Sequence, residues 1–564
     1  MHHHLSLRKK LIIMISVMAS LFLVALDQTI IATALGRIVE EFNAFSSLSW
    51  IVTAYLITTT LTVPIAGKLS DMFGRRKVLL TGVAIFVLGS LLSGASADVT
   101  QLIIWRAVQG IGGGIITANA FTIVGDLFAA RERGKWQGLI GATFGLSSVI
   151  GPLLGGWLTD GQPFFGLTTD WRWTFYINVP IGIIAFILIA IYSPALRSAV
   201  KAKIDYIGAA LLSVVLATLI LAVDNTEAIF GDLMSATGLT LAGLRMIMFG
   251  IVAAATAGFI YAEHKADEPI LPLRFFKNRT YVLVITIALL FGAAFMGSIL
   301  YLTQFNQQVF GASPTDSGLM LLPMVAGIMI SSVGSGQIIS RTGRYKIFMQ
   351  IGFSVATAAM IALTFLTPES SYAFEAVIMV ILGLGLGVAM PILNLAVQNE
   401  FEQKDIGAAT SSNQLFRSLG STVGTAVFGA VLTAGIVSQV PAMNSTAYIQ
   451  SLEESSQAQQ FDFDNADTLL RLNMPDTRNQ VSAQAQEQFA TLPGEAREKA
   501  EQSFTESQDE FGVIVTHAFS DSLQKIFIVG SSLLGLAAVL TFAIKEKELA
   551  QASKDETPSE AWTK

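Results

Sequence analysis

Apolar stretches of about twenty residues recur along almost the whole chain, and they constrain its fold more than any other feature. A stretch of this length crosses the hydrocarbon layer of a bilayer as a helix, whereas the strands of a membrane barrel would be about half as long and alternate in polarity. The sequence therefore predicts an all-α polytopic membrane protein. The predicted spans are 11–35, 48–66, 78–97, 100–123, 136–158, 173–194, 206–226, 241–262, 280–304, 315–338, 347–367, 371–395, 407–437 and 520–544.

The distribution of basic residues predicts the orientation of these spans. With the N-terminus inside, 25 of the 35 Lys and Arg residues fall in cytoplasmic segments, six fall in outer segments and four fall within spans. Cytoplasmic loops of membrane proteins carry this excess of positive charge. Both termini are therefore expected in the cytoplasm.

A short charged segment, GKLSDMFGRRK (67–77), separates the second and third spans and predicts a tight turn at the cytoplasmic face. Its glycines let the backbone turn or let helix ends approach closely. Its acid lies close enough to two arginines for ion pairing that would latch neighbouring helices in one state. The residues of this gating loop are Gly67, Asp71, Gly74, Arg75 and Arg76.

The gating loop has a weaker copy, GQIISRTGRYK (336–346), which begins 269 residues later and has Ser340 where the first copy has Asp71. The segment RAVQGIGGGIITANA (106–120) is echoed by MVILGLGLGVAMPIL (379–393) at a similar offset. Two related halves are therefore expected, with a weaker latch in the second. Parallel repeats of this kind build transporters whose site lies between the halves near the bilayer midplane.

These observations divide the chain into a six-helix bundle (11–195), two inserted helices (206–262) and a second six-helix bundle (280–437 with 520–544). Residues 1–10, which include a tag-like run of histidines, and residues 545–564 are assigned to the cytoplasm. Residues 438–518 form an acidic outer loop rich in Gln, Ser and Ala. A solvated, partly disordered insertion is the favoured reading of this loop, and a lid over the outer mouth is the alternative.

Asp27 is the strongest candidate for chemistry, because it lies among apolar residues well inside the first span. An ionised carboxylate at that depth costs about 2.5–3.5 kcal/mol on insertion scales, so the residue should face the interior and be able to take up a proton. Arg106 is the single charge in its span and is the natural partner. The alternatives are a purely structural pair, or an Arg106 that only snorkels or binds backbone carbonyls.

Weaker signals come from the second half and from the fifth span. Arg417 lies about ten residues into the thirteenth span and should face inward. Glu400 lies just past the twelfth span and is a weak candidate, because an acid at a helix end is more often solvated. In GATFGLSSVIGPLLGGWL (141–158), Gly151 and Gly155 are one turn apart and Pro152 bends the helix, which favours close helix packing.

Several function classes are excluded or disfavoured. The chain has no cysteine, and its histidines other than the tag-like run are far apart in sequence, so no metal site and no cysteine nucleophile is predicted. The glycines at 110–114 follow no strand, so they do not form a phosphate-binding loop. We expect no enzyme activity, no cofactor and no nucleic-acid partner.

The motifs resemble those of the major facilitator superfamily. The cytoplasmic loop between helices two and three of that superfamily is similar to GKLSDMFGRRK. Its fourth-helix arginine motif is similar to IIWRAVQGIGGG, which contains Arg106, and its fifth-helix antiporter motif is similar to GLSSVIGPLLGG. LDQTIIATALGRI, WRWTFYINVPIG (171–182) and ATSSNQLFRSLGSTVGTAVFG (409–429) are similar to segments of the fourteen-helix drug:proton antiporter branch.

The resemblance implies the major facilitator fold and specific roles. Asp27 would take up protons and contribute to recognition of cationic substrates, and Arg106 would couple protonation to conformation. The gating loop would stabilise the outward-facing state, and Gly151, Pro152 and Gly155 would form the flexible element of exporters. Expected partners are protons, small lipophilic substrates and membrane lipid, for a monomer with room for an accessory partner at loop 438–518.

The implied function is therefore proton-coupled export of lipophilic, cationic drugs across a bacterial cytoplasmic membrane. Export of one metabolite or lipid on the same scaffold is an alternative. A receptor or scaffold that uses 438–518 as a partner surface is another, although it would have no use for Asp27 and Arg106 in lipid. The absence of an acid well inside the second-half spans argues against export of divalent cations.

Overall fold

The computed structural model describes residues 6–549 apart from 43–47, 160, 162, 165–166, 194–204, 224–225, 313, 454–462, 464–467, 470–471, 474 and 491–492. The tag-like histidines, the end of the cytoplasmic tail from 550 and parts of the outer loop therefore lie outside the described residues. Fourteen helices within the described ranges are long and apolar enough to cross a membrane, which confirms the predicted fold class.

Two helical bundles flank an insert whose described residues form three helices, two of which are long and apolar enough to cross a membrane. The first bundle contains α1 (Leu7–Phe42), α2 (Leu48–Phe73), α3 (Arg75–Gly94), α4 (Val99–Leu127), α5 (Ala130–Thr159), α6 (Trp173–Tyr176) and α7 (Asn178–Tyr192). The insert contains α8 (Tyr206–Val223), α9 (Thr226–Thr237) and α10 (Leu241–Lys265). The second bundle contains α11 (Arg279–Gln308), α12 (Pro314–Met320), α13 (Leu322–Thr342), α14 (Lys346–Leu363), α15 (Tyr372–Glu400) and α16 (Ile406–Val437).

The remaining elements are short, except for the last helix. The outer segment contains α17 (Val440–Asn444), α18 (Ala447–Glu453), α19 (Pro475–Phe489) and α20 (Gly494–Ala543), whose C-terminal part completes the second bundle. Between α5 and α6, β1 (Pro163–Phe164) pairs antiparallel with β2 (Leu167–Thr168), with Pro163 opposite Thr168. Two 3₁₀ turns, Leu273–Lys277 and Gln403–Asp405, precede α11 and α16.

Capping residues mark the points at which polar sequence gives way to apolar helix. Asp98 accepts a hydrogen bond from Gln101 N (2.8 Å), and Asn278 accepts one from Tyr281 N (3.1 Å). Such caps satisfy backbone donors that the first helical turn leaves free. The starts of α4 and α11 are therefore encoded locally.

The gating loop is more helical than the sequence predicted. Helix α2 continues through Gly67 and Asp71 to Phe73, and the chain turns only at Gly74, whose φ of 93° favours glycine. The expectation of a turn over the whole segment was wrong, because a helix that leaves the hydrocarbon layer still satisfies its own backbone. Gly343, at the position of Gly74 in the second copy, has a φ of 73° and also ends a helix.

The described part of loop 438–518 is folded rather than merely solvated. We call these described residues the outer cap. Tyr448, Phe511 and Val515 are almost fully buried there, and they belong to the same hydrophobic cluster as the interior of the second bundle. Residues 494–519 extend α20 outward by about 40 Å at 1.5 Å per residue. The outer segment is therefore continuous with the last membrane-spanning helix.

Candidate functional site

Asp27 lies in the interior of the first bundle with a full set of hydrogen-bond donors. Its side chain is 0% exposed. Its Oδ2 lies 2.5 Å from Arg106 Nη1, and its Oδ1 accepts hydrogen bonds from Gln109 Nε2 (2.8 Å) and Asn178 Nδ2 (3.4 Å). Helices α1, α4 and α7 therefore meet at one carboxylate.

Arg106 is held as firmly as its partner. Its guanidinium lies 4.2 Å from the ring centroid of Tyr55, and it also donates to Gln109 Oε1 (2.9 Å). Only 1% of the residue is exposed. A buried ion pair tolerates its desolvation only when such additional bonds are present, and loss of one partner leaves an uncompensated charge. The pair is therefore stable as long as both charges remain.

The structure thus brings together the two charges that the resemblance placed near each other. Gln109, Asn178 and Tyr55 were not among the predicted site residues. Gln109 follows Arg106 by three residues, so it lies on the same face of α4. Asn178 is a polar residue in the apolar segment WRWTFYINVPIG, and that isolation was the available signal.

The glycines of the fifth-span motif pack directly against the helix that carries Asp27. A methyl group at Gly151 would overlap Thr29 Oγ1, and one at Gly155 would overlap Thr33 Oγ1. The Thr29 hydroxyl donates to Ser147 O at 3.0 Å. Small residues let α1 and α5 approach at this point, which is two residues beyond Asp27.

Helix α5 also contacts the second bundle. Ser332 Oγ on α13 donates to Gly138 O at 2.9 Å. A methyl group placed at Gly318 on α12 would lie 3.4 Å from Pro152 Cβ. One helix therefore lies between the Asp27 segment and the opposite half of the molecule, so a displacement of α1 has a direct path to the second bundle.

The gating loop joins the two halves at their cytoplasmic ends. Asp71 forms an ion pair with Arg75 and accepts a hydrogen bond from Ala408 N (3.0 Å) near the start of α16. Arg75 Nε also donates to Asp126 Oδ2 at 2.8 Å. A carboxylate near a helix N-terminus is favoured by the helix dipole. Asp71 is therefore a latch between the first-half loop and a second-half helix.

Two details differ from the predicted latch. Arg76 does not pair with Asp71 in the described structure but donates to Ala190 O near the end of α7. Gly67 contributes close approach rather than a turn, since a methyl group there would overlap Ser411. Arg76 therefore anchors the loop within the first bundle, and Gly67 and Asp71 face the second.

Further contacts close the cytoplasmic side. Gln137 Nε2 donates to Gln398 Oε1 (3.0 Å), and Gln398 Nε2 donates to Phe121 O (3.1 Å). A methyl group at Gly134 would come within 3.2 Å of Gly336 O. Polar side chains and glycines thus join α4 and α5 to α13 and α15. The conformation described here is closed toward the cytoplasm.

Arg417, which was expected to face inward, lies against aromatic rings of the first bundle and has no acidic partner among the described residues. Its Cζ lies 5.9 Å from the ring centroid of Phe121 and 5.8 Å from that of Phe144. One turn earlier, Asn413 Nδ2 and Gln414 Nε2 donate to Asn394 Oδ1 at 2.9 and 3.4 Å. A polar, positively charged surface of α16 therefore meets aromatic rings of α4 and α5.

Glu400 lies apart from this central region. Its Oε2 accepts a hydrogen bond from Asn278 Nδ2 (3.0 Å) at the cytoplasmic ends of α15 and α11. This contact ties two helix ends together within the second bundle. Nothing in the geometry connects Glu400 to Asp27 or Arg417.

Glu375 is a buried acid that sequence analysis passed over. It lies in the first turn of α15 and is 0% exposed, next to Asn306, which is also 0% exposed. Both of its carboxyl oxygens lack a hydrogen-bond partner among the described residues. Glu375 does not contradict the expectation that no acid lies well inside the second-half spans, because it stands in the first turn of its helix. Glu375 is near a span end in sequence, and the packing of α11 against α15 buries it.

The outer end of the first bundle carries an exposed ionic contact. Arg172 Nη2 lies 2.8 Å from Glu41 Oε1, and Trp171 Nε1 donates to Glu41 Oε2 at 2.6 Å. The hydrogen bond from Arg172 is the largest of the causes that lower the pKa of Glu41, and the one from Trp171 adds to it. These bonds fix the end of α1 beside the start of α6.

The chain matches a known family and named relatives. A model of the Major Facilitator Superfamily matches residues 17–425. The chain is 39% identical over 429 residues, 76% of each chain, to the multidrug transporter protein MdtP of Bacillus subtilis. It is 37% identical to multidrug resistance protein 3 of the same species, covering 75% of this chain and 79% of that one. It is 32% identical to the efflux pump dotC of Dothistroma septosporum, covering 75% and 71%.

Solved structures show the same fold at low sequence identity. The proton:xylose symporter XylE superposes with a TM-score of 0.58 and 14% identity, covering 96% of this chain and 97% of that one. The human organic anion transporter MFSD10 superposes with a TM-score of 0.56 and 16% identity, covering 74% and 93%. These likenesses concern the arrangement of helices alone.

Proposed function

The chain belongs to the major facilitator superfamily, a family of membrane transporters, and from this premise we propose that it exports lipophilic drugs in exchange for protons by alternating access. The relatives named as multidrug transporters and efflux pumps support drug export. The proposal that export is coupled to protons depends on the geometry around Asp27.

The observation that carries this proposal is the buried Asp27–Arg106 pair. Protonation of Asp27 would remove one charge of the pair and leave Arg106, among the described residues, with Gln109 Oε1, Ile51 O and the rings of Tyr55 and Phe175. An unpaired buried guanidinium is strongly unfavourable, so Arg106 would move toward water or another acceptor. Uptake of a proton at Asp27 would thereby favour a displacement of Arg106 and of α4, which carries it.

The packing of α5 offers a route from that displacement to the opposite bundle. Gly151 and Gly155 contact α1 beside Asp27, and Gly138 and Pro152 contact α13 and α12. A shift of α1 against α4 would therefore be transmitted to the contacts that close the cytoplasmic side. Asp71 and its bond to Ala408 N would then open.

The driving force is sufficient for export against a gradient. Each proton that moves inward contributes about 2.3 kcal/mol per 100 mV of membrane potential, in addition to the pH difference. About 1.4 kcal/mol corresponds to a tenfold concentration ratio. A single Asp27 that carries one proton per cycle could therefore maintain a gradient of more than tenfold for an uncharged drug, whereas exchange of a monovalent cation for one proton moves no net charge and draws on the pH difference alone.

The resemblance also favours cationic substrates, with Asp27 as their acidic partner. In the conformation described here Asp27 is fully occupied by Arg106, Gln109 and Asn178. A cation would reach this carboxylate only after Arg106 has moved away. We propose the cytoplasmic membrane of a bacterium as the location, supported by the Bacillus relatives.

The proposal is tested in vesicles that contain the purified protein and carry an imposed pH gradient. Ethidium, a fluorescent lipophilic cation, and dansyl-phenylalanine, a fluorescent aromatic acid, serve as parallel substrates. Asp27→Asn should abolish gradient-driven accumulation of any transported probe, because the variant carries no proton. It should retain gradient-independent exchange of a probe that does not use Asp27 as its partner. Asp232→Asn, at an exposed acid on α9, serves as the matched control. Accumulation by Asp27→Asn at the wild-type rate would remove Asp27 from the mechanism.

A further inference from the structure

Arg417 is a charge inside the membrane region for which the described protein supplies no counter-ion. Its guanidinium takes part in no hydrogen bond and no ion pair with a described residue, and its Nη1 is buried without a partner. Arginine does not lose its proton in proteins. The positive charge is therefore permanent at this position.

The other buried arginines show how this chain normally treats such a charge. Arg106 is paired with Asp27, and Arg75 is paired with Asp71 and Asp126. Arg133 donates to the carbonyls of Phe128 and Gly125 at 3.1 and 2.8 Å. Because these three buried guanidinium groups have partners, the unpaired guanidinium of Arg417 is available to bind an anion.

The position of Arg417 is that of a ligand site. It lies eleven residues after the start of α16, about 17 Å from the cytoplasmic end of that helix. Phe121 and Phe144, the rings nearest to it, belong to the first bundle, whereas Arg417 belongs to the second. The arginine is only partly buried, so protein atoms do not fill all the space beside it. A ligand here would contact both bundles, as cargo must in alternating access.

The flanking side chains define the ligand further. The rings of Phe121 and Phe144 are stacked, with centroids 6.5 Å apart and an interplanar angle of 17°. Asn413 and Gln414 precede Arg417 by four and three residues, so they share its face of α16. They are 2% and 1% exposed, and neither Asn413 Oδ1 nor Gln414 Oε1 has a partner among the described residues. The surface thus offers one cation, an aromatic wall and two acceptors.

We propose that Arg417, Phe121 and Phe144 form a subsite for aromatic substrates that carry a carboxylate, and that Asn413 and Gln414 accept from an amine or hydroxyl of the same compound. The guanidinium binds a carboxylate through two parallel N–H···O bonds, and the phenyl rings contact the aromatic part. This inference rests on the proposed export function and names a substrate class for it. It replaces a preference for cations with one for acids and zwitterions in the conformation closed to the cytoplasm.

The test compares two fluorescent probes that differ only in whether the terminal group is a carboxylate or a neutral amide, dansyl-phenylalanine and dansyl-phenylalaninamide. The full chain in lipid nanodiscs is titrated with each probe in chloride-free buffer at pH 7 and without any gradient. The wild type should bind the acid about tenfold or more tightly than the amide, the range expected for hydrogen bonds to a charged group. Arg417→Gln should abolish that preference and leave amide binding unchanged, which also shows that the variant is folded.

Two further variants sharpen the comparison. Arg417→Lys keeps the charge and loses the planar fork, so it should retain only part of the preference. Arg341→Gln removes one exposed positive charge at the end of α13 and should retain all of it. Equal binding of acid and amide by the wild type, no measurable binding of the acid, or a preference that survives in Arg417→Gln would overturn the subsite.

The outcome is separable from that of the proton-coupling test. Binding in nanodiscs requires neither a gradient nor turnover. A preference for the acid in a protein whose Asp27→Asn variant transports normally would support the subsite and reject proton coupling through Asp27. The reverse pattern would reject the subsite alone.

Discussion

The Asp27–Arg106 pair predicts a specific pattern of stabilities. Asp27→Asn keeps the shape of the side chain and removes its charge, so Arg106 stays buried at 1% exposure without an anion. Arg106→Gln leaves the Asp27 carboxylate with only the amides of Gln109 and Asn178. Each single variant should lose about 3–5 kcal/mol, the usual cost of breaking a buried pair from one side.

The double variant separates this cost from ordinary loss of contacts. Asp27→Asn combined with Arg106→Gln buries no charge, because two amides replace the pair. Replacement of a whole buried pair by neutral groups is often nearly neutral in stability. The double variant should therefore be at least as stable as either single variant, and the departure from additivity should amount to about 3 kcal/mol or more.

The assay is thermal or denaturant unfolding of the detergent-solubilised protein, with all four proteins measured at one pH and one salt concentration. Single-variant losses that simply add in the double variant would show that the two side chains act independently, and the reasoning would be refuted. An Asp27→Asn variant as stable as the wild type would also refute the expected cost of an unpaired Arg106. A control pair of exposed charges, Arg497 and Glu501, should show almost no coupling, because solvent screens it.

Two other predictions concern the ends of the molecule. Asp71→Ala removes the acceptor for Ala408 N and one partner of Arg75, so it should increase the distance between α2 and α16 at the cytoplasmic side. The chain has no cysteine, so spin labels on two introduced cysteines report that distance. An unchanged distance distribution would argue against the latch. Because the pKa of Glu41 is lowered in the folded protein, its contact with Arg172 stabilises the fold fully above the ordinary Glu pKa of about 4.3, and this stabilisation is lost as the pH falls through the lowered pKa of Glu41. The melting-temperature advantage of wild type over Glu41→Gln should therefore shrink below about pH 4. A melting-temperature difference that stays constant with pH would contradict this expectation.

The helices and their repeat were predictable because they depend on local sequence. Apolar length defines a membrane helix irrespective of its neighbours. Gly74 and Gly343 recur because the same turn with positive φ is needed in both halves. The meeting of Asp27 and Arg106 was predictable only through the family resemblance, since 79 residues separate them and no local rule relates α1 to α4.

Other features were hidden because burial arises from distant packing. The outer cap appeared solvated because its apolar residues are sparse, yet Tyr448 and Phe511 lie 63 residues apart in sequence and pack with ring centroids 5.2 Å apart and an interplanar angle of 42°. Glu375 appeared to be an ordinary acid at a helix end until Asn306 and the rest of α11 covered it. Composition averaged over a segment does not reveal which few side chains will meet.

The distribution of charge between the bundles links the two proposals. In the first bundle Asp27 and Arg106 cancel each other, whereas the Arg417 surface of the second bundle keeps one net positive charge. A carboxylate cargo would neutralise Arg417 on its way out while a proton neutralises Asp27 on its way in, so each site would be charged in one half of the cycle and neutral in the other. Exchange of one anion outward for one proton inward moves two charges in the direction that an inside-negative membrane favours, about 4.6 kcal/mol per 100 mV, twice the electrical contribution available for a neutral drug. On these two proposals together, the unpaired charge of Arg417 gives a preference for anionic substrates, and the membrane potential favours their export.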